Sequence, residues 1–447
     1  MIEASRLDPA AAYVAVDRHR LDDQAPYLYR TQDYGKTWQP IASGIGPNAF
    51  VNAIREDLKQ PGLLFAGTER GVYVSFDDGD RWQPLQLNLP VTSVRDFAIH
   101  SDDLVIATHG RAFWIMDNIT PLRQIAAGVK ADKTHLFDPA VAVRVDNDVF
   151  LGSPFPPEEP MSKNPSDGAV IDYYLPANAQ KVTLEIFDAK GTLVRGFMTG
   201  EMRPQKIPPL AIAAQWLPKP VVLASGAGMH RFVWDLRWSS SGTGEELEDE
   251  GFGAPRGPKI IPGTYQVKLT VDGATFEAPL QVQMDPRSKA AAVELEQQQN
   301  LGLEVFRQVK ESRKARDEMN AVKANLDKLA EQLDGKPELQ AESKKIVGAI
   351  QAIQKGSKPA PDAMGLEAAS SGLQSVLRVV ESGDRTTPQQ AIELYGVAQK
   401  AANARIGEWI ALKAGGLAEF NHALEKAGLH SVDVSSIEAE TEELLAQ

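Results

Sequence analysis

Three short stretches hold the side chains best suited to chemistry: Asp17-Arg18-His19-Arg20-Leu21-Asp22-Asp23, Glu69-Arg70 and His109-Gly110-Arg111. Arginine forks bind carboxylates through two parallel hydrogen bonds. Paired carboxylates hydrolyse glycosides when held at a defined separation. Imidazoles exchange protons near neutral pH. The candidate catalytic groups are therefore Asp17, Glu69 and His109. The candidate ligand-binding set is Arg18, His19, Arg20, Asp22, Glu69, Arg70, His109 and Arg111. The competing reading is ion pairing and turn chemistry, and a histidine in a tight turn is more often structural.

Whether stretches so far apart can meet depends on the elements that carry them. Residues 1 to about 120 read as short strands separated by Gly, Asp and Asn turns, and they repeat. Thr31-Gln32-Asp33-Tyr34-Gly35-Lys36-Thr37-Trp38 recurs as Ser75-Phe76-Asp77-Asp78-Gly79-Asp80-Arg81-Trp82, an offset of 44 residues. A third unit lacks the full segment. Leu63-Leu64-Phe65-Ala66-Gly67-Thr68 is matched by Leu104-Val105-Ile106-Ala107-Thr108, with Thr68 and Thr108 40 residues apart. Periods of about 40–45 residues with several strands each are those of propeller blades.

The repeated segment follows Ser/Thr-x-Asp-x-Gly-x-Thr-Trp, complete at 31–38 and with Arg81 in place of Thr at 75–82. Asp33 and Asp77 can accept main-chain N–H groups within a hairpin turn. Gly35 and Gly79 permit positive φ. Trp38 and Trp82 are expected to bury their rings between blades. These residues are read as structural. In a four-stranded blade this turn joins the third and fourth strands. The turn between the second and third strands then lies at the opposite end. The three chemistry-bearing stretches are all of that second kind, which brings them to one mouth.

Beyond residue 125 the pattern changes. Residues 126–169 read as a connector ending in a Pro-rich linker around Gly152-Ser153-Pro154-Phe155-Pro156-Pro157, since proline removes donors and fixes φ. Residues 170–285 alternate like the strands of a β-sandwich, as in Val182-Thr183-Leu184-Glu185-Ile186-Phe187 and Tyr265-Gln266-Val267-Lys268-Leu269. The acidic run Glu245-Glu246-Leu247-Glu248-Asp249-Glu250 interrupts them and reads as a solvated loop. From 286 to 447 the period is helical. Met319, Val322, Leu326, Leu329 and Leu333 form one stripe. Thr387-Pro388-Gln389-Gln390 reads as a helix start with Thr387 as N-cap, and that helix is expected to end near Ala414-Gly415-Gly416. Four or five helices in an antiparallel bundle are expected. The fold class is thus multidomain, all-β followed by all-α: about three propeller blades, a sandwich and a helical bundle.

Composition narrows the function classes. A net charge of −13 argues against non-specific nucleic-acid binding and against docking on an anionic membrane. The absence of cysteine excludes thiolate catalysis, disulfides and Cys-ligated zinc. No His-Glu-x-x-His spacing, phosphate-cradling loop or Gly-x-Ser-x-Gly elbow is present, so no metal or cofactor is expected. No apolar run approaches the ~18 residues of a membrane span, and no signal peptide follows Met1.

The first 125 residues resemble the last blades of large bacterial Asp-box (BNR-repeat) propeller proteins, sortilin-like in fold and often described as sialidase-like glycosyl hydrolases. The likeness is carried by Tyr13-Val14-Ala15-Val16-Asp17-Arg18-His19-Arg20, by the box at 31–38, by Phe65-Ala66-Gly67-Thr68-Glu69-Arg70-Gly71-Val72-Tyr73, and by Ala107-Thr108-His109-Gly110-Arg111. The sandwich resembles the Ig-like module of the flagellar hook-capping protein, through Gly228-x-His230-x-Phe232-x-Trp234-Asp235 and Pro262-Gly263-x-Tyr265. The resemblance implies a secreted or periplasmic protein that recognises extracellular glycan or protein. Its alternative is a glycoside hydrolase, although the Tyr, Glu and Asp set of a sialidase is not visible. A third reading is a secreted peptidase accessory or assembly factor, with the helical tail as its partner surface. Such propellers close with six or more blades. The expectation is therefore that Met1 lies inside a longer product, with blades and a signal peptide upstream, or that a partner chain supplies the remainder.

Overall fold

The computed structural model describes residues 1–130, 132–145, 164–199, 222–238, 256–356 and 364–434. The expected Pro-rich linker and the acidic run at 245–250 lie outside these residues.

The chain begins with two four-stranded antiparallel meanders. Strands β1 (Ile2–Ala4), β2 (Ala12–Val16), β3 (Tyr27–Thr31) and β4 (Gln39–Pro40) form the first sheet. Strands β5 (Val51–Glu56), β6 (Leu64–Thr68), β7 (Gly71–Ser75) and β8 (Gln83–Pro84) form the second. A third sheet has three strands among the described residues: β9 (Ser93–His100), β10 (Asp103–His109) and β11 (Phe113–Met116).

These sheets stack face to face in chain order, because alternation gives each strand two usable faces. Tyr13, Ala15 and Leu28 of the first sheet share one core with Ile54, Leu64 and Ala66 of the second. The opposite face of the second sheet, through Phe65, Val72 and Val74, shares another with Phe97, Leu104 and Ile106 of the third. The middle sheet is buried on both sides, which accounts for the continuous apolar run of β6. Helix α1 (Thr120–Ala126) closes the second core with Ile119 and Leu122.

The two repeated turns make the local hydrogen bonds expected of their aspartates. Asp33 accepts hydrogen bonds from the Thr37 main-chain N–H at 2.9 Å and the Thr37 hydroxyl at 2.7 Å. Asp77 accepts the Arg81 N–H at 2.9 Å. Gly35 and Gly79 have φ of 80° and 90°. The tryptophans differ. Trp82 is 2% exposed and lies in the core between the first two sheets. Trp38, expected to be buried likewise, is 43% exposed. Trp82 leans on the preceding sheet, whereas no described sheet lies against the corresponding face of the first.

Among the described residues eight further strands follow: β12 (His135–Leu136), β13 (Ala142–Arg144), β14 (Ala169–Leu175), β15 (Val182–Phe187), β16 (Leu193–Met198), β17 (Gly228–Trp234), β18 (Gly263–Val271) and β19 (Ala274–Met284). They form one sheet ordered β12-β14-β17 and another ordered β13-β19-β18-β15-β16. The two sheets enclose one core around Trp234, Tyr173, Leu184 and Leu269. Strands β12 and β13 come from the stretch read as connector. They are two and three residues long, too short to show a periodicity.

The described residues that follow are mainly helical: α2 (Ala292–Leu329), α3 (Pro337–Lys355), α4 (Leu366–Val380), α5 (Gln389–Leu412) and α6 (Ala418–Lys426). The stripe Met319, Val322, Leu326, Leu329 and Leu333 is buried in a single core shared by these helices. Two expectations about α5 are corrected. Pro388, not Thr387, is its N-cap residue, and no side chain caps it. The glycines do not end it either. A π-turn at Lys413–Leu417 carries the helix on into α6, because Leu417, Phe420 and Leu424 continue the apolar face.

Candidate functional site

The turns β2–β3, β6–β7 and β10–β11 lie at the end of the sheets opposite the turns at Asp33 and Asp77. Each is shaped locally. The β2–β3 turn contains a short 3-10 turn, His19–Leu21, closed by Asp22 in the left-handed region at φ 60°. The β6–β7 turn is tight. Thr68 Oγ1 accepts the N–H groups of Arg70 and Gly71, both at 3.1 Å. In the third turn, Thr108 Oγ1 accepts the Arg111 N–H at 3.2 Å.

Three residues that sequence reading had not named, Phe50, Ser93 and Arg95, bring the turns together. Phe50, just before β5, stacks on the His19 ring with centroids 4.8 Å apart. Its carbonyl accepts the Glu69 N–H at 3.1 Å. Arg95, near the start of β9, is the hub. Its guanidinium reaches Glu69 Oε2 at 3.4 Å, Asn52 Oδ1 at 3.2 Å and His109 Nδ1 at 3.5 Å. Ser93 donates to Glu69 Oε2 at 2.7 Å. His19 Nδ1 is 2.6 Å from Asp17 Oδ1, and Arg95 acts on Asp17 through space. Partial burial opposes ionisation of Asp17. Hydrogen bonds from the His19 main chain and ring outweigh it, holding the carboxyl below its ordinary value.

Thus Arg95 joins Glu69 to His109 and acts on Asp17 through space, while His19 pairs with Asp17. Arg18 instead pairs with Asp23 at 3.1 Å and lies over the Tyr27 ring. Asp22 serves the 3-10 turn. Arg20, Arg70 and Arg111 are exposed and make no ion pair among the described residues. The only hint of Arg95, Ser93 and Phe50 in the sequence was topological. They start the first strands of successive sheets, at the end where sheet-to-sheet connections arrive.

The opposite end holds a second polar cluster. The Tyr13 hydroxyl donates to Asp78 Oδ1 at 2.5 Å and lies 3.5 Å from Glu56 Oε1. Arg30 donates to Asp78 at 2.9 Å. Burial, then Asp78, pushes the Tyr13 hydroxyl far above its ordinary range. The Tyr13 hydroxyl thus serves here as a hydrogen-bond donor. The cluster ties the first two sheets together.

Among the described residues no group of three or more His, Asp or Glu is arranged to hold a metal ion. No described helix is long and apolar enough to cross a membrane.

No family model matches the chain, and no curated protein matches it. Among solved structures, the chain is similar to the extracellular domain of the one component system BT4673 from B. thetaiotaomicron. The identity is 9% and the TM-score 0.21, over 64% of this chain and 31% of that one. A second structure of that domain, described as part of a hybrid two component system, gives the same TM-score of 0.21 at 9% identity, over 63% of this chain and 31% of that one. An ancestral GH74 enzyme is similar at 12% identity and TM-score 0.19, over 44% of this chain and 26% of its own. The chain spans about a third or less of each of these.

Proposed function

We propose that the chain is part of an exported propeller-type binding or scaffold protein, and that its mouth takes an acidic group of an extracellular glycan or protein. The observation that carries this reading is Arg95, set among Asp17, Glu69 and His109 with three unpaired arginines on the same rim. In a chain of net charge −13, this is a local concentration of guanidinium groups. Such a mouth steers anions and holds carboxylates bidentately.

In this reading the three stacked sheets are Asp-box blades spanning 1–125, followed by a connector (126–169), an Ig-like sandwich (170–285) and a helical bundle (286–447). In this reading further blades complete the propeller. The sandwich and bundle act as spacer and docking modules.

A second reading is favoured by the two carboxylates, Asp17 and Glu69, that share the mouth. It is a glycoside hydrolase whose site is completed by further blades. Binding of acidic and neutral oligosaccharides, with fluorogenic glycosides assayed in parallel, tests both. Saturable binding of acidic oligosaccharides without turnover is expected. Turnover abolished by Glu69→Gln or Asp17→Asn would replace the binding reading with the hydrolase.

A further inference from the structure

The mouth around Arg95 holds acceptors as well as donors. Asp17 Oδ1 accepts the His19 main-chain N–H at 2.9 Å, and the same oxygen stands 2.6 Å from His19 Nδ1, with Oδ2 at 2.8 Å. A carboxylate only accepts, so Nδ1 carries the proton of this pair. In the neutral imidazole Nε2 then holds a lone pair. Phe50, 6% exposed, lies against the ring with 19° between the planes and fixes its orientation. Nε2 makes no hydrogen bond among the described residues, and the His19 side chain is 36% exposed.

Glu69 supplies a second free acceptor. Its Oε2 takes the Ser93 hydroxyl at 2.7 Å and Arg95 at 3.4 Å, while Oε1 has no donor among the described residues. The two acceptors belong to one structure. Phe50, which backs the His19 ring, holds the Glu69 N–H on its carbonyl at 3.1 Å. A bare anion on Arg95 leaves both acceptors unmatched and meets the Glu69 carboxylate. A ligand with hydroxyls beside its own carboxylate satisfies the guanidinium and both acceptors. A site built to bond a hydroxyl rejects analogues that lack it, because its polar groups are then desolvated without a partner. An acidic peptide carries its nearest donor, the main-chain N–H, across several rotatable bonds. A sugar ring fixes its hydroxyls relative to the carboxylate, so less order is lost on binding.

We propose that the mouth takes the uronic acid units of a glycan. The sugar carboxylate lies on Arg95, and ring hydroxyls donate to His19 Nε2 and Glu69 Oε1. Asp17 is a positioning residue that sets which nitrogen of His19 accepts. The proposal rests on the reading of this end as an acid-binding mouth, and it narrows the ligand from glycan or protein to glycan.

Titration calorimetry of the full chain tests this with three probes: tetragalacturonate, its methyl ester, and tetraglutamate, which has acidic groups but no hydroxyls. Tetragalacturonate is expected to bind about tenfold tighter than tetraglutamate, or better, and the ester not at all. His19→Phe keeps a flat ring against Phe50 and removes the acceptor, so it should erase most of that preference. Asp17→Asn no longer forces the proton onto Nδ1 and should narrow the preference too, which keeps the test alive if His19→Phe unfolds. Equal affinity of the wild type for the two acids overturns the proposal. So does a preference that survives both substitutions, or a loss shared equally by both ligands, which marks a structural role. If both acids bind alike and Arg95→Ala weakens both, the acid-binding mouth stands and only the hydroxyl readout is wrong. If neither acid binds, the mouth reading falls with it.

Discussion

The indole N–H of Trp82 donates to the main-chain oxygen of Ile41 at 2.6 Å, across the gap between the first two sheets. The Trp82 main-chain N–H makes a parallel contact with Ser43, at 2.8 Å. The ring therefore fills an apolar core and satisfies its polar atom at once. Trp38, its repeat counterpart, has no such neighbour among the described residues. Trp82→Ala is expected to cost about 3–5 kcal/mol, the usual range for a buried aromatic truncation. Trp38→Ala should cost less than about 1 kcal/mol. Thermal or urea unfolding of the two variants checks this. Equal losses would show that the first sheet is covered in solution.

Arg95 is the group on which the proposed site depends. Its contacts with Glu69, Asn52 and His109 lie between 3.2 and 3.5 Å, longer than firm charge-assisted bonds. Arg95→Ala should weaken binding of an acidic oligosaccharide tenfold or more, in line with the roughly 1.5–3 kcal/mol of a hydrogen bond to a charged group. Arg95→Lys should recover only part, because lysine lacks the fork. Unfolding should barely change. Titration calorimetry decides the matter, and undiminished affinity in Arg95→Ala removes this mouth from consideration.

The sequence and the site were legible to different depths for physical reasons. Repeats and apolar alternation are local signals, and they located the stacked sheets, the hydrogen-bonded turns at Asp33 and Asp77, and the helical stripe from Met319 to Leu333. Alternation also sorted the turns by end, which put Asp17, Glu69 and His109 on one mouth. Arg95 was invisible because no local pattern marks it. Its role arises from the stacking of one sheet on the next. Trp38 misled for the same reason: a motif records what its residue does when the neighbouring sheet is in place. The helix across Gly415-Gly416 persists because packing of Leu417 and Phe420 outweighs the roughly 1 kcal/mol per glycine of lost propensity.

Glu56 offers a test through pH. Burial between the first two sheets raises its carboxyl above the ordinary 4.5, and Asp78 adds to the effect while a Ser5 hydrogen bond opposes it. The folded state therefore holds this proton more tightly than the unfolded chain. The associated stability is fully present below pH 4.5 and is lost as pH rises through the raised value. Glu56→Gln stays neutral throughout. Relative to wild type, the variant should gain in melting temperature as pH increases from about 4 to 7. A difference that is flat in pH, or that shrinks as pH rises, would show that Glu56 ionises freely in the fold.

The sandwich and the helical bundle are joined by ion pairs that are shielded from water. Arg144 donates to Asp384 at 2.6 Å, with side chains 5% and 9% exposed. Arg237 pairs with Glu381 at 2.8 Å in the same turn after α4. Gln298 of α2 adds bonds to the carbonyls of Val380 and, at 2.7 Å, Gly383. Removing one partner of a buried pair leaves an uncompensated charge, at a cost of about 3–5 kcal/mol. Asp384→Ala should therefore destabilise strongly, and raised salt should rescue little of the loss, because the pair sits away from mobile ions. The double variant Arg144→Met/Asp384→Leu should recover most of it, since no charge is then stranded. Urea unfolding of the single and double variants measures both. A double variant as unstable as the single one would mean that the pair contributes through geometry that apolar side chains cannot replace.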